Sequence, residues 1–109
     1  MKRIANFEKV SKEQYEKDSI VNAYENIILP KRATAGSAGY DFFMPYTLVL
    51  SPGEEMKIAT GIRCKISEGW VLNIFPRSSL GFKYRVGLCN TIGVIDSDYY
   101  NALNEGHIM

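Results

Sequence analysis

The chain has 109 residues, 46% hydrophobic and 23% charged, with a formal net charge of +1 at pH 7. That length and composition suit one small domain with a core, and the near-neutral balance excludes nonspecific nucleic-acid binding. No stretch approaches the ~20 consecutive apolar residues of a membrane-spanning helix, so neither nucleic acid nor membrane is expected as a partner.

The N-terminus, Met1-Lys2-Arg3-Ile4-Ala5-Asn6, has no apolar run behind its basic residues. No secretory signal is therefore expected, and the cytoplasm is the expected setting. Ser11, with Gln14 three residues later and flanked by Val10 and Tyr15, reads as a helix start with a cap and a hydrophobic staple. The helix is predicted over about residues 12–18, resuming near 22–25. Its apolar face is thin, which predicts that it decorates the domain. Ile27-Ile28-Leu29 before Pro30 reads as extended. The chain divides on this reading into an N-terminal helical extension, residues 1–27, and a β domain, residues 28–109.

Residues 31–39 are a loop of small residues leading into Tyr40-Asp41-Phe42-Phe43, a predicted strand. Residues 46–50 alternate and predict another. Ser51-Pro52-Gly53-Glu54 has proline second and glycine third, the type II turn pattern. A strand is predicted over residues 56–60 and, after Gly61, over residues 62–66, where Ile62, Cys64 and Ile66 alternate with polar residues. Residues 70–75 are nearly all apolar, which predicts a central strand buried on both faces. Short strands with turns every ~8–12 residues point to an all-β sandwich or barrel. Cys64 and Cys89 lack metal-type spacing, and their apolar, alternating contexts predict buried free thiols, with a disulfide as the second reading. His107, the single histidine, is predicted as a strand residue.

Two stretches carry candidate chemistry. Arg77 and Ser78 leave an apolar strand and meet Gly81, which permits a tight turn. An arginine fork and a hydroxyl beside exposed backbone amides suit a polyphosphate, or are simply a polar turn. Further on, residues 87–100 carry an apolar, β-prone run through Gly93, Val94 and Ile95 to Asp96, Asp98, Tyr99 and Tyr100. Gly93 permits positive φ and close approach of a ligand. Asp96, after two β-branched residues, is either a stiffly held general base or part of an ordinary polar turn.

Gly93-Val94-Ile95-Asp96-Ser97-Asp98-Tyr99 resembles the third signature motif of the trimeric dUTP pyrophosphatases (dUTPases). Ala38-Gly39-Tyr40-Asp41 resembles the first, and Pro76-Arg77-Ser78-Ser79-Leu80-Gly81 the second. The three occur in the right order, and the resemblance covers about residues 28–109. Phe7-Glu8-Lys9-Val10 and the helix after it are similar to the forms of Gram-positive bacteria and their phages.

The resemblance implies an all-β fold: a distorted jelly roll with a short N-terminal helix, assembled as a homotrimer. It implies hydrolysis of dUTP to dUMP and pyrophosphate with Mg²⁺, serving nucleotide-pool sanitation. Asp96 would activate the attacking water, and Ser78 would stabilise charge at the bond being cut. Arg77 and Ser78, with Ser79 and Gly81 of the same motif, would contact the phosphates. The main chain around Asn90, Gly93 and Ile95 would read uracil, and Tyr99 would pack on the deoxyribose. No side chain would ligate Mg²⁺ directly; phosphates and water would hold it, with Asp41 organising that network. The family's pocket lies between subunits, so within one chain the Arg77-Ser78 turn is expected away from the Asp96–Tyr99 stretch.

Some features depart from the family pattern. Ser79 stands where many members have glycine, and Tyr100-Asn101 replaces the usual arginine-glycine continuation. The chain is expected to be C-terminally incomplete, because Met109 comes before a fourth and a fifth motif, so that this stretch alone would hydrolyse little dUTP. The alternative readings are a noncatalytic, dUTPase-derived module with a regulatory protein partner and a relative of the dCTP deaminases. Asp98-Tyr99 fits the dUTPase pattern and not the deaminase one.

Overall fold

The structure, a computed structural model, describes residues 2–109. Strand β1 (Ala5–Lys9) pairs antiparallel with β2 (Ile62–Ile66), placing Phe7 opposite Cys64. Strand β3 (Val71–Ile74) pairs antiparallel with β4 (Gly93–Asp96), placing Val71 opposite Asp96. The two pairs form separate sheets, and the helices between them are short.

Strand β2 follows the period of two. Ile62, Cys64 and Ile66 are buried while Lys65 is exposed, as one wet face and one core face require. Helix α1 (Lys12–Asp18) starts as predicted: the Ser11 hydroxyl accepts from the Gln14 amide at 3.1 Å. It does not merely decorate the domain. Tyr15 and Val10 are fully buried and join Ile27, Ala59, Ile62, Cys64, Ile66 and Ile108 in one core cluster. A single aromatic at the right turn of a thin apolar face is enough to anchor a helix when it fills the centre of the core.

Other expectations are corrected. Residues 46–50 and 56–60 form no ladder, although the turn between them has Gly53 at φ 83° and the Glu54 amide donating to the Ser51 carbonyl at 3.0 Å. Residues 70–75 supply only β3, whose residues alternate exposed and half-buried. With β4 as its sole ladder partner among the described residues and Val71 and Asn73 exposed, β3 is not a doubly buried strand. Two helical segments were not expected: α2 (Ser78–Tyr84) and a 3-10 turn, Ser97–Asn101. Helix α2 ends at Arg85 in the left-handed region, whose amide reaches the Gly81 carbonyl, while the Val86 amide reaches Leu80. These bonds satisfy terminal carbonyls that would otherwise be orphaned. Cys64 is buried but Cys89 is exposed. The chain turns at residues 88–91, with Thr91 at φ 69°, so the alternation around Cys89 never becomes a strand. His107 lies in no strand and is fully buried.

Candidate functional site

The first group of predicted residues gathers where the loop of small residues closes. Lys31 and Asp41 form an isolated antiparallel bridge, with the Asp41 amide donating to the Lys31 carbonyl at 2.9 Å. This fixes Asp41 at the neck of the loop. Arg77, extended at the entrance to α2, donates from Nη1 to Asp41 Oδ2 at 2.8 Å. Arg77 remains 69% exposed while Asp41 is 33% exposed, so the guanidinium keeps donors free for an anionic ligand. Ser78 begins α2; Ser79 and Gly81 lie within it, all on the exposed surface. Gly81 therefore makes no tight turn. It sits inside α2.

The second group lines an open cleft of about 510 Å³, walled by Ile95, Asp96, Asp98, Tyr99, Ala102 and Ile108 among others. Asp96 is the last residue of β4, and its exposed carboxylate accepts no hydrogen bond from another described residue. Tyr99 follows on the 3-10 turn, half-buried, its hydroxyl donating to the His107 carbonyl at 2.8 Å and accepting from Asn104 at 3.0 Å. Gly93 does not use positive φ. It faces Ile74 across the β3–β4 ladder, where an added Cβ would sit 3.0 Å from the Ile74 Cβ; a close approach of strands, not a bend, explains it. Asn90 lies in the turn before β4 and is not part of the cleft wall.

Asp41, Arg77 and Ser78 do not line the Asp96 cleft. One chain thus brings Asp41 to Arg77, and Ile95 to Asp96 and Tyr99, but does not merge the two groups.

The sequence reading missed what fastens the 3-10 turn to the core. The Tyr100 hydroxyl donates to Glu8 Oε1 at 2.8 Å, and the Arg63 guanidinium lies 3.7 Å over the Tyr100 ring while donating to the Tyr100 carbonyl at 2.8 Å. The bond to the Glu8 carboxylate, followed by desolvation, holds the Tyr100 phenol above its usual range. A charged residue on the outward face of β2 and a second tyrosine after Tyr99 were the available signals.

A dUTPase family model matches residues 25–104 of this chain. The deoxyuridine 5'-triphosphate nucleotidohydrolase of Lactococcus lactis subsp. lactis (strain IL1403) is 45% identical over 92 residues, which covers 82% of this chain and 61% of that protein. The protein of the same name from Psychromonas ingrahamii is 47% identical over 78 residues, covering 69% and 52%. Among solved structures, the crystal structure of dUTPase from Streptococcus mutans matches with a TM-score of 0.72 at 41% identity, covering 94% of this chain and 73% of that chain. The fold is thus the all-β, jelly-roll type expected from the sequence. The chain spans between 52% and 61% of the length of these two curated relatives.

Proposed function

We propose, since this chain belongs to the dUTPase family, that it supplies nucleotide-handling residues of an enzyme hydrolysing dUTP to dUMP and pyrophosphate. The observation that carries this reading is the Asp96 carboxylate, unpartnered among the described residues and set on the wall of a cleft beside Tyr99. A carboxylate without internal partners is free to accept a proton from water.

In this account Asp96 takes the proton of the attacking water. Tyr99 stands against the deoxyribose and leaves no room for a 2′-hydroxyl. Main-chain groups at Asn90, Gly93 and Ile95 meet the uracil. Arg77, braced by Asp41, holds phosphate oxygens with its remaining donors; Ser78, Ser79 and Gly81 lie along the same segment, and Ser78 stabilises charge at the bond being cut. Among the described residues no cluster of three or more His, Cys, Asp or Glu side chains could cage a metal ion. Mg²⁺ would be held by the triphosphate and water, and Asp41 would accept from those waters. When bound, the ion neutralises phosphate charge and fixes phosphate geometry.

Association into a homotrimer is part of the proposal. Trp70, Phe75, Phe82 and Val94 are each more than half exposed, and apolar surface of this kind is what association covers. A pocket assembled from different copies also accounts for why Arg77 and Asp96 stay apart in one chain. No described helix is long and apolar enough to cross a membrane, and two free thiols suit a reducing, cytoplasmic setting.

The test is pyrophosphate release by the intact protein with Mg²⁺, comparing dUTP, UTP and dCTP. Release from dUTP alone is expected. Ammonia release from dCTP would replace this reading with a deaminase, and no turnover of any of the three would replace it with a noncatalytic module.

A further inference from the structure

The segment after the cleft holds Tyr99 from several sides. Beyond the bonds to the His107 carbonyl and Asn104, Gly106 presses directly on the tyrosine's backbone: an added Cβ there would lie 2.6 Å from the Tyr99 carbonyl oxygen. His107 itself is fully buried and held at both ring nitrogens. Its Nε2 accepts from the Gly61 amide at 2.9 Å, so the neutral ring carries its proton on Nδ1, which donates to Asp18 Oδ2 at 2.7 Å. Asp18 is the last residue of α1 and also accepts from Gln14 Nε2, one turn earlier, at 2.9 Å. An unbroken path of directional contacts therefore runs from α1 through Asp18 and His107 to the Tyr99 hydroxyl.

Packing alone does not require this path. An apolar side chain of similar size at position 107 would fill the same space, but would leave the Gly61 amide and the Asp18 carboxylate without their partner. Histidine with one fixed tautomer satisfies both groups and holds its own carbonyl still, and that carbonyl receives the tyrosine hydroxyl.

We propose that Asp18 and His107 are positioning residues for the nucleotide cleft, coupling helix α1 to the orientation of the Tyr99 ring. The proposal rests on the reading of the Asp96–Tyr99 cleft as a nucleotide site. It makes the N-terminal helix part of the apparatus that selects the sugar, acting on Tyr99 through His107 rather than on the ligand.

The experiment uses the intact protein with Asp18→Ala, with His107→Gln as a second variant and Ile66→Val as a core truncation away from this loop. Tyr99 ring resonances and amide exchange over residues 97–101 are followed by NMR, and dUTP and UTP affinities are compared. Asp18→Ala and His107→Gln are expected to shift the Tyr99 ring signals, speed exchange about tenfold, as loss of one hydrogen bond does, and lower the preference for dUTP. Asp18→Asn, which keeps an acceptor oxygen, restores most of the wild-type behaviour, and Ile66→Val changes neither signal. Unchanged Tyr99 resonances and exchange in Asp18→Ala, or equal changes in Ile66→Val, would overturn the coupling. If the wild type binds no dUTP while its Tyr99 signals still respond to Asp18→Ala, the coupling stands and the nucleotide reading falls.

Discussion

Arg77 and Asp41, 36 positions apart in the chain, meet at 2.8 Å through Nη1 and Oδ2. The contact ties the loop of small residues to the entrance of α2. Because both side chains are substantially exposed, the pair contributes ~0–1 kcal/mol to stability. Its value lies in aiming the guanidinium. Arg77→Ala is therefore expected to leave the thermal midpoint nearly unchanged while weakening triphosphate binding by about 10- to 100-fold, the loss of a charged hydrogen bond. Arg77→Lys should recover little, because an ammonium cannot reproduce the fork. Titration calorimetry with a non-hydrolysable dUTP analogue checks both. Unaltered affinity in Arg77→Ala would remove Arg77 from the phosphate site.

Tyr99 is expected to set sugar selectivity. Tyr99→Ala should raise the turnover of UTP relative to dUTP, since a wall that excludes one hydroxyl is lost; pockets of this kind discriminate by ~10–200-fold. The ratio of kcat/KM for the two nucleotides reads it directly. An unchanged ratio would place the discrimination elsewhere.

Gly106 is expected to tolerate no side chain. At φ 71°, with an added Cβ only 2.6 Å from the Tyr99 carbonyl oxygen and 2.9 Å from the Tyr100 Cα, Gly106→Ala meets both an unfavourable backbone conformation and a backbone clash. The cost should exceed the ~1–3 kcal/mol of a strained dihedral alone. Gly53→Ala is the comparison, because its φ is 83° with nothing near the added Cβ. Urea midpoints should rank Gly106→Ala well below Gly53→Ala; equal midpoints would mean that the 106 segment moves freely off Tyr99.

Acid should loosen the same region. Burial pushes the Asp18 carboxyl up, but hydrogen bonds from Gln14 and His107 and the Lys57 charge outweigh it, and the group is held below its ordinary 3.8. Glu105 is held below its ordinary 4.5 chiefly by the Ser11 hydroxyl at 2.6 Å, helped by the Ser11 amide at 2.8 Å. Both folded values lie under the unfolded ones, so the stabilisation is fully present above the unfolded values and is lost as pH falls through the folded ones. Stability should therefore drop below about pH 4.5, where the unfolded state begins to take up more protons. Ser11→Ala should flatten the Glu105 part of that drop. A pH–stability curve with the same acid slope in wild type and Ser11→Ala would contradict it.

What the sequence made legible was whatever rested on local pattern. The Ser11 cap, the span of α1, the Gly53 turn and the alternation of β2 all follow from residues within a few positions of one another. What stayed hidden depends on distant partners. Cys89 reads as a buried strand residue until Thr91 turns the chain; residues 46–50 read as a strand but find no neighbour to pair with. Burial on both faces of residues 70–75 required partners on both sides of β3, and its Val71 and Asn73 side stays exposed. At the candidate site, Asp41, Arg77, Asp96 and Tyr99 could be named from motifs, and the separation of Arg77 from the Asp96–Tyr99 stretch within one chain was expected, whereas the contact of Arg77 with Asp41, 36 positions away, was not. Nothing near His107 in sequence points to Asp18, 89 positions away.

The proposed hydrolysis depends most directly on Asp96 as the base that activates water. The decisive measurement is the rate of pyrophosphate release from dUTP with Mg²⁺ by the intact protein and its Asp96→Asn variant, alongside dUTP affinity for each. Asp96→Asn keeps the shape but cannot take up the proton, so the rate should fall by ~10²–10⁴-fold while affinity changes little. Equal rates in the two proteins would contradict the central claim.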